Sequence, residues 1–246
     1  MSSAIIALVS GANKGLGFET ARKLARQGIK VLLGARDESR GREAESKLRD
    51  EGLDVEFVLL DVTNPGHIKE VEKHIKKKYG KLDIIVNNAG TKDPEEPLSS
   101  NSTETISPKA LRATFDVNFF GLVELTQTLL PLIKKSDAGR IVNVASILGS
   151  LTMHSDEVSE FSQVKPFAYD ASKTAVNAFT IHLAAALMDT PVKVNSAHPG
   201  WVKTDMGGDQ APMEVDEGAK TAVRLATLGP DGPTGKFFHF EEEMPW

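Results

Sequence analysis

The stretch "FAYDASKTAVNAF", residues 167–179, places Lys173 four residues after Tyr169, one of only two tyrosines in the chain. Residues four apart share one face of a helix, so the phenol and the ammonium project to the same place. A free phenol has a pKa of about 10 and is a poor proton shuttle near neutrality. A neighbouring ammonium favours the phenolate and is expected to lower that value. Such a phenol can give a proton to a carbonyl oxygen or take one from an alcohol. Ala171, Ser172 and Ala175 are small enough to admit a cofactor at close range. The bland alternative is a buried tyrosine and a surface lysine one turn apart. A nucleotide site elsewhere in the chain decides against it.

"SGANKGLG", at residues 10–17, supplies that site. Gly11, Gly15 and Gly17 follow an apolar run and open a helical pattern. Glycines here let the backbone turn sharply and let a pyrophosphate approach the helix N-terminus. Asn13, Lys14 and Leu16 lie within the same loop. The loop lacks the Gly-Lys-Ser/Thr ending of an ATP-binding phosphate loop. The second apolar run ends Gly34-Ala35-Arg36-Asp37. An acidic residue at such a tip would bind the ribose 2′-hydroxyl of NAD. Ala35 stands there instead, and Arg36 with Lys14 suits a 2′-phosphate. The expected cofactor is therefore NADP. Asp37 favours the contrary choice, and Arg36 could simply pair with it at the surface.

The elements that carry these groups alternate regularly. Strands are expected at 4–10, 30–36, 55–62, 82–90, 139–146, 192–200 and 234–240. Helices are expected at 17–28, 39–52, 65–80, 109–135, 168–188 and 216–229. Near-continuous apolar strands between helices imply a doubly wound parallel sheet covered on both faces, a three-layer αβα architecture in one domain spanning 1–246. Residues 91–108 are polar, contain three prolines and read as a loop or lid. Residues 201–216 read as a second flexible segment. The run Lys76–Lys78 ends a helix, where cations favour the dipole, and reads as a solvated face.

Composition excludes several function classes. The 246 residues carry a net charge of −5, so no global basic field invites nucleic acid or an acidic membrane surface. There is no cysteine, which removes disulfides, thiolate metal sites and cysteine nucleophiles. The N-terminal apolar run is short, has no basic residue before it and enters the glycine loop directly, unlike a signal peptide. No apolar stretch approaches the roughly 18 residues of a membrane span. A soluble, cytoplasmic protein is expected. His154 and His198 lack partners at ligand spacing, so no metal site is expected.

Taken in order, Gly11-x-x-x-Gly15-x-Gly17, Asp61-Val62, Asn87-Asn88-Ala89-Gly90, Asn118, Ser146, Tyr169-x-x-x-Lys173 and Pro199-Gly200 resemble the short-chain dehydrogenases/reductases over nearly the whole chain. "ANKGLG", "GARDESRG" and the closing "GKFFHFEEEMPW" are most similar to the NADPH-dependent carbonyl reductase branch. The resemblance implies a Rossmann-type domain that reduces a ketone or aldehyde with NADPH, or runs the reverse reaction. Tyr169 would supply the proton and Ser146, at the end of a strand, would hold the substrate oxygen; a turn serine is the plainer reading. Asparagine within a helix is unfavourable, so Asn118 is expected to have a polar task. The resemblance assigns it a water that relays protons to Lys173, and assigns Lys173 a contact with the cofactor ribose.

By the same resemblance Asn88, Ala89 and Gly90 lie along the adenosine side and Asp61 and Val62 flank the adenine. Beyond Pro199-Gly200, Val202 and Thr204 meet the nicotinamide amide. Two rivals stand beside this reading: a non-catalytic NADPH-binding redox sensor, and a nucleotide-sugar epimerase, for which the short chain after the sixth strand leaves little room. Similar proteins pair the helices corresponding to 109–135 and 168–188 between subunits, so a homo-oligomer is expected. Between Ser146 and Tyr169 lie more residues than the family pattern has. The added segment, "SLTMHSDEVSEFSQVKP", is expected to border the substrate mouth and could leave a monomer.

Overall fold

A computed structural model describes residues 4–94, 96 and 101–246. Its strands are β1 (Ile6–Ser10), β2 (Lys30–Ala35), β3 (Val55–Leu59), β4 (Ile84–Asn87), β5 (Arg140–Val144), β6 (Lys193–Ala197), β7 (Lys236–His239) and β8 (Glu242–Glu243). They form one sheet in the order β3-β2-β1-β4-β5-β6-β7-β8. All neighbours are parallel except β7 and β8. The strand order reverses direction beside β1, which puts the C-terminal ends of β1 and β4 at the crevice where such sheets bind ligands.

The helices are α1 (Gly15–Ala25), α2 (Glu38–Asp50), α3 (Pro65–Lys78), α4 (Pro108–Phe115), α5 (Gly121–Ile133), α6 (Leu151–Ser155), α7 (Phe167–Ala186), α8 (Val215–Gly218) and α9 (Lys220–Ala226). Successive strand residues face opposite sides, and the two sides hold separate cores. Leu8, Ile85, Ile141 and Val194 pack with Ile68 and Ile75 of α3, Leu125 and Leu129 of α5, and Leu183 of α7. Val9, Val31, Val86 and Val142 pack on the other side with Leu24 of α1, Leu48 of α2 and Ala222 of α9. The three-layer expectation is met.

Several boundaries differ from those read off the sequence. The long helix expected at 109–135 is unbroken from 108 to 133 but is not α throughout: a π-helical turn over Asp116–Phe120 joins α4 to α5. Strands expected to run to 62, 90 and 146 stop at Leu59, Asn87 and Val144. Asp61, Asn88 and Ser146 therefore stand in the turns beyond the strand tips. Helix 216–229 divides into α8 and α9, and the two-residue strand β8 is an addition. The segment after β6 is tied back on itself by Lys203 N to Met213 O (2.9 Å) and Met213 N to Trp201 O (3.2 Å). Parts of the expected lid, at 95 and 97–100, lie outside the described residues. Lys76–Lys78 occupy the last turn of α3, and Lys78 reaches Glu56 of β3 at 2.8 Å. Among the described residues no helix is long and apolar enough to cross a membrane.

Candidate active site

Tyr169 and Lys173 stand one turn apart near the start of α7. The Lys173 Nζ lies 5.7 Å from the centroid of the Tyr169 ring and donates to the carbonyl oxygen of Val144 at 2.7 Å, at the tip of β5. Lys173 is buried, and burial pulls its ammonium down to about 8. The phenol moves the opposite way to expectation. Burial pushes Tyr169 up to about 12, Asp170 pushes in the same direction, and only a hydrogen bond with the Ser146 hydroxyl opposes them. The reason is that desolvation acts on both partners. A lysine that is itself losing its charge is a weak source of field, and its proton points at Val144 rather than at the phenol oxygen.

Ser146 is drawn into this group as well as into a turn. Its Oγ accepts the Leu148 amide at 3.2 Å and caps a short 3₁₀ turn, Ile147–Gly149. The turn role read from the sequence is present, and the same hydroxyl stands beside the phenol. The 3₁₀ turn lies directly on α7. A Cβ on Gly149 would sit 2.7 Å from the Lys173 carbonyl carbon and 2.9 Å from its Cβ, so any larger residue would lift the turn, and Ser146 with it, off the helix. The Gly149 carbonyl in turn accepts the Thr174 hydroxyl at 3.0 Å.

Asn118 is buried in the π-turn, where the widened backbone frees its side chain from the α-helical path. Its Oδ1 accepts the Thr91 amide at 2.7 Å, and its Nδ2 donates to the Thr91 carbonyl at 2.8 Å and to Ser172 Oγ at 2.9 Å. Ser172 passes its own proton to the Tyr169 carbonyl at 2.7 Å. Asn118 therefore ties the chain leaving β4 to the turn of α7 that carries the tyrosine. Gly90 lies between Asn118 and Lys173, where an added Cβ would be 3.5 Å from Asn118 Oδ1 and 3.7 Å from Lys173 Nζ. Ser172 and Thr91 escaped the sequence reading. By sequence Ser172 is only a small neighbour of Tyr169, and Thr91 only the first residue of a loop.

At the crevice between β1 and β4 the backbone forms a cradle. Gly11 and Gly15 adopt φ of +66° and +56°, a region that glycine enters without strain. A Cβ on Gly17 would fall 2.3 Å from Gly11 O and 2.4 Å from Asn88 Nδ2, so glycine alone lets α1 start against the loop. Asn88 Nδ2 bonds Ser10 O at 2.9 Å and Gly11 O at 3.3 Å. The amides of Asn88 and Ala89 both donate to Ser10 Oγ at 3.0 Å; Ser10, which sequence reading passed over, thus joins the two strand tips. The cap residue of α1, Lys14, makes no side-chain bond to the helix amides, and no acidic residue stands in the first turn. Unlike α2, α3 and α4, whose caps are filled by Asp37, Asn64 and Ser107, this end offers its first amides and its positive dipole to an external anion. Asn13 and Leu16 sit partly exposed beside it. A dinucleotide pyrophosphate fits that donor set.

The cations proposed for a 2′-phosphate are arranged less simply. Arg36 is exposed just past β2. Burial raises the Asp61 carboxyl, but the Thr63 amide and hydroxyl, followed by the Arg36 and His67 charges, together hold it below its ordinary value. Asp37 is committed elsewhere: its Oδ1 accepts the Arg40 amide at 2.9 Å as the cap of α2. Neither a ribose contact nor a pairing with Arg36 is needed to explain it. Lys14 is paired across the crevice with Asp205, a carboxylate of the segment after β6. Both side chains are well exposed, so the pair is weak and exchangeable. Val62 is buried beside Asp61.

Past β6 the chain turns at Pro199-Gly200. Gly200 has φ +88°, and a Cβ there would collide with Met213 Sδ at 2.2 Å. Val202 is buried, and Thr204 Oγ1 accepts the Gly207 amide at 3.1 Å. His198 serves structure: its Nδ1 accepts the amides of Ile147 (3.3 Å) and Gly200 (3.4 Å), while burial, aided by His239, holds its ring near a pKa of about 3. His154 donates from Nε2 to Leu148 O at 2.8 Å. No cluster of three or more His, Asp or Glu suits a metal among the described residues. The segment before α7 flanks the neighbouring face of the helix, where Leu151, His154 and Lys165 face Phe167, Asp170 and Thr174 around a cavity of about 290 Å³.

The pattern of the short chain dehydrogenase family matches residues 5–215, and the chain belongs to that family. It is similar to carbonyl reductase (NADPH) 1 of Mus musculus, at 35% identity over all of this chain and 99% of the relative. It is also similar to (-)-isopiperitenone reductase of Mentha piperita, at 36% identity over 94% of this chain and 95% of the relative. Among solved structures, NADPH-bound carbonyl reductase from chicken fatty liver superposes with a TM-score of 0.84 at 26% identity, covering 99% of this chain and 100% of that one.

Proposed function

We propose that this chain is an NADPH-dependent carbonyl reductase that converts a ketone or aldehyde to an alcohol. Bound NADPH would supply a hydride to the carbonyl carbon. The carbonyl oxygen then gains a proton from Tyr169 Oη, so that C=O becomes CH–OH. A phenol held near 12 is fully protonated at neutral pH, which suits reduction better than oxidation. Ser146, already bonded to the phenol, orients the oxygen that is to receive the proton. Lys173 faces the cofactor ribose, and Asn118 holds the backbone on both sides of the site. The observation that carries the reading is the Ser146–Tyr169–Lys173 group at the strand tips beside an uncapped helix N-terminus.

In this reading Gly11, Asn13, Gly15, Leu16 and Gly17 hold the pyrophosphate, Lys14 and Arg36 the 2′-phosphate, and Asp61, Val62, Asn88, Ala89 and Gly90 the adenosine. Pro199, Gly200, Val202 and Thr204 lie by the nicotinamide. The chain acts as one catalytic domain, in the cytoplasm, on a small molecule rather than a nucleic acid. Exposed Phe120 (56%) and Ile181 (40%), on the π-turn and α7, favour a homo-oligomer. Oxidation of NADPH measured at 340 nm across a panel of ketones, aldehydes and quinones is the test. No consumption above background with any of them would defeat the proposal.

A further inference from the structure

The segment after β4 was expected to be a loop or lid, yet it contains a wholly buried carboxylate. Glu96 is 0% exposed. A buried anion is expensive unless donors surround it, and its donors are the start of α7. The Ala168 amide donates to Oε1 at 2.9 Å and the Tyr169 amide to Oε2 at 3.3 Å. The Ser102 hydroxyl also donates to Oε1, and Ser102 Oγ accepts the Phe167 amide at 2.9 Å.

We propose that Glu96 is a positioning residue for proton transfer: it caps the first turn of α7 from outside the helix and so fixes where Tyr169 presents its phenol. The helix supplies no cap of its own, because the residue before it is Pro166, which makes no side-chain bond. Three of the first-turn amides, at Phe167, Ala168 and Tyr169, are instead met by Ser102 and Glu96. The fourth, at Asp170, bonds Pro166 O at 3.0 Å. Every orphan donor of the turn is thereby satisfied, and the carboxylate lies at the positive end of the helix dipole.

Other contacts anchor the cap. The Glu96 carbonyl accepts Lys92 Nζ at 2.6 Å. Five residues upstream, Thr91 is clasped by Asn118 through both its amide and its carbonyl. Asn118 also grips Ser172, whose hydroxyl holds the Tyr169 carbonyl. Tyr169 is consequently held through its amide by Glu96 and through its carbonyl by Ser172, and both holds trace back to the chain leaving β4. Twenty residues long and packed through Val176, Thr180 and Leu183, α7 does not need the cap in order to exist. What the cap sets is its first turn, where Tyr169 stands.

This inference rests on Tyr169 being the proton donor, so Tyr169→Phe is assayed alongside. In Glu96→Gln an NH₂ group replaces one accepting oxygen and faces an amide that also donates. A displacement of about 1 Å at a reacting group can cost about 10²-fold in rate. The expected result is a kcat lowered by about ten- to a hundredfold, with the NADPH Kd unchanged within about twofold and a larger solvent isotope effect on kcat as proton transfer becomes limiting. Ser102→Ala, which removes the hydroxyl bridge but leaves the carboxylate, should show the same pattern more weakly. If Glu96→Gln does not fold, Ser102→Ala decides on the same criterion. Wild-type kcat and isotope effect in the folded variants, with Tyr169→Phe inactive, overturn the positioning role alone. Full activity of Tyr169→Phe overturns both readings. A kcat loss matched by an equal loss of NADPH affinity would mark Glu96 as merely structural.

Discussion

Asp170, the residue after the proposed proton donor, should make the protein less stable as pH rises through neutrality. It is 8% exposed, its Oδ1 has no hydrogen-bond partner, and its Oδ2 lies 3.3 Å from His154 Nε2. Burial and then the charge of Glu96 push its carboxyl up to about 8, with Lys165 opposing them. In the unfolded chain an aspartate titrates near 3.9. Between pH 5 and pH 7 the unfolded state has therefore released a proton that the folded state keeps. The unfolded state binds fewer protons, and stability falls with rising pH. One proton across two pH units corresponds to about 2.7 kcal/mol.

Asp170→Asn removes that titration. The stability of the variant relative to wild type should therefore improve by about 2.7 kcal/mol between pH 5 and pH 7. His198 works in the opposite sense, since a folded value near about 3 means the unfolded chain takes up the proton first as pH falls. That contribution is common to both proteins and cancels in the difference. The measurement is urea unfolding at pH 5, 6 and 7 at fixed ionic strength. With a slope of about 3 kcal/mol/M, the difference between the two midpoints should shift by about 0.9 M across the range. A difference that does not change with pH would mean that Asp170 is already ionised in the folded protein at pH 5, and that burial does not dominate its surroundings.

Tyr169→Phe should bind NADPH almost normally, by fluorescence titration, and lose about 10² to 10⁴ of carbonyl reduction; retention of more than about a third of kcat would remove it as donor. For the free enzyme, kcat/KM should fall as pH rises through about 8, where buried Lys173 loses its proton, and Lys173→Ala should weaken both NADPH binding and turnover. Wild type should prefer NADPH to NADH by at least about tenfold in kcat/KM, the worth of one charge-assisted contact. Ala35→Asp combined with Arg36→Ile should lose most of that margin; equal use of NADH by wild type would refute the phosphate-site assignment. Sedimentation at micromolar concentration should give a mass above 26.6 kDa if subunits pair.

Much of this molecule is local enough to be legible in the sequence. Alternating apolar runs and amphipathic segments dictate a parallel sheet between two helical layers, because the periods of strand and helix are properties of the chain itself. Gly11, Gly15 and Gly17 mark a sharp turn into α1, and Tyr169 and Lys173 share a helix face by spacing alone. Where α7 starts could be placed to within a residue for the same reason, whereas Asn88, Ser146 and Gly200, read as strand ends, stand in the turns just beyond them. The remaining features depend on which distant residues meet. The π-turn at Asn118 exists where α4 and α5 join, and its partners Thr91 and Ser172 lie 27 and 54 positions away. Asp37 carries the charge that would suit a ribose, but its place at the start of α2 makes it a cap. The pairing of Lys14 with Asp205 and the capping of α7 by Glu96 join segments separated by 191 and 72 positions. The phenol and ammonium shift opposite to a pairwise estimate because burial belongs to the packed structure, and desolvation of both groups outweighs their mutual field at 5.7 Å.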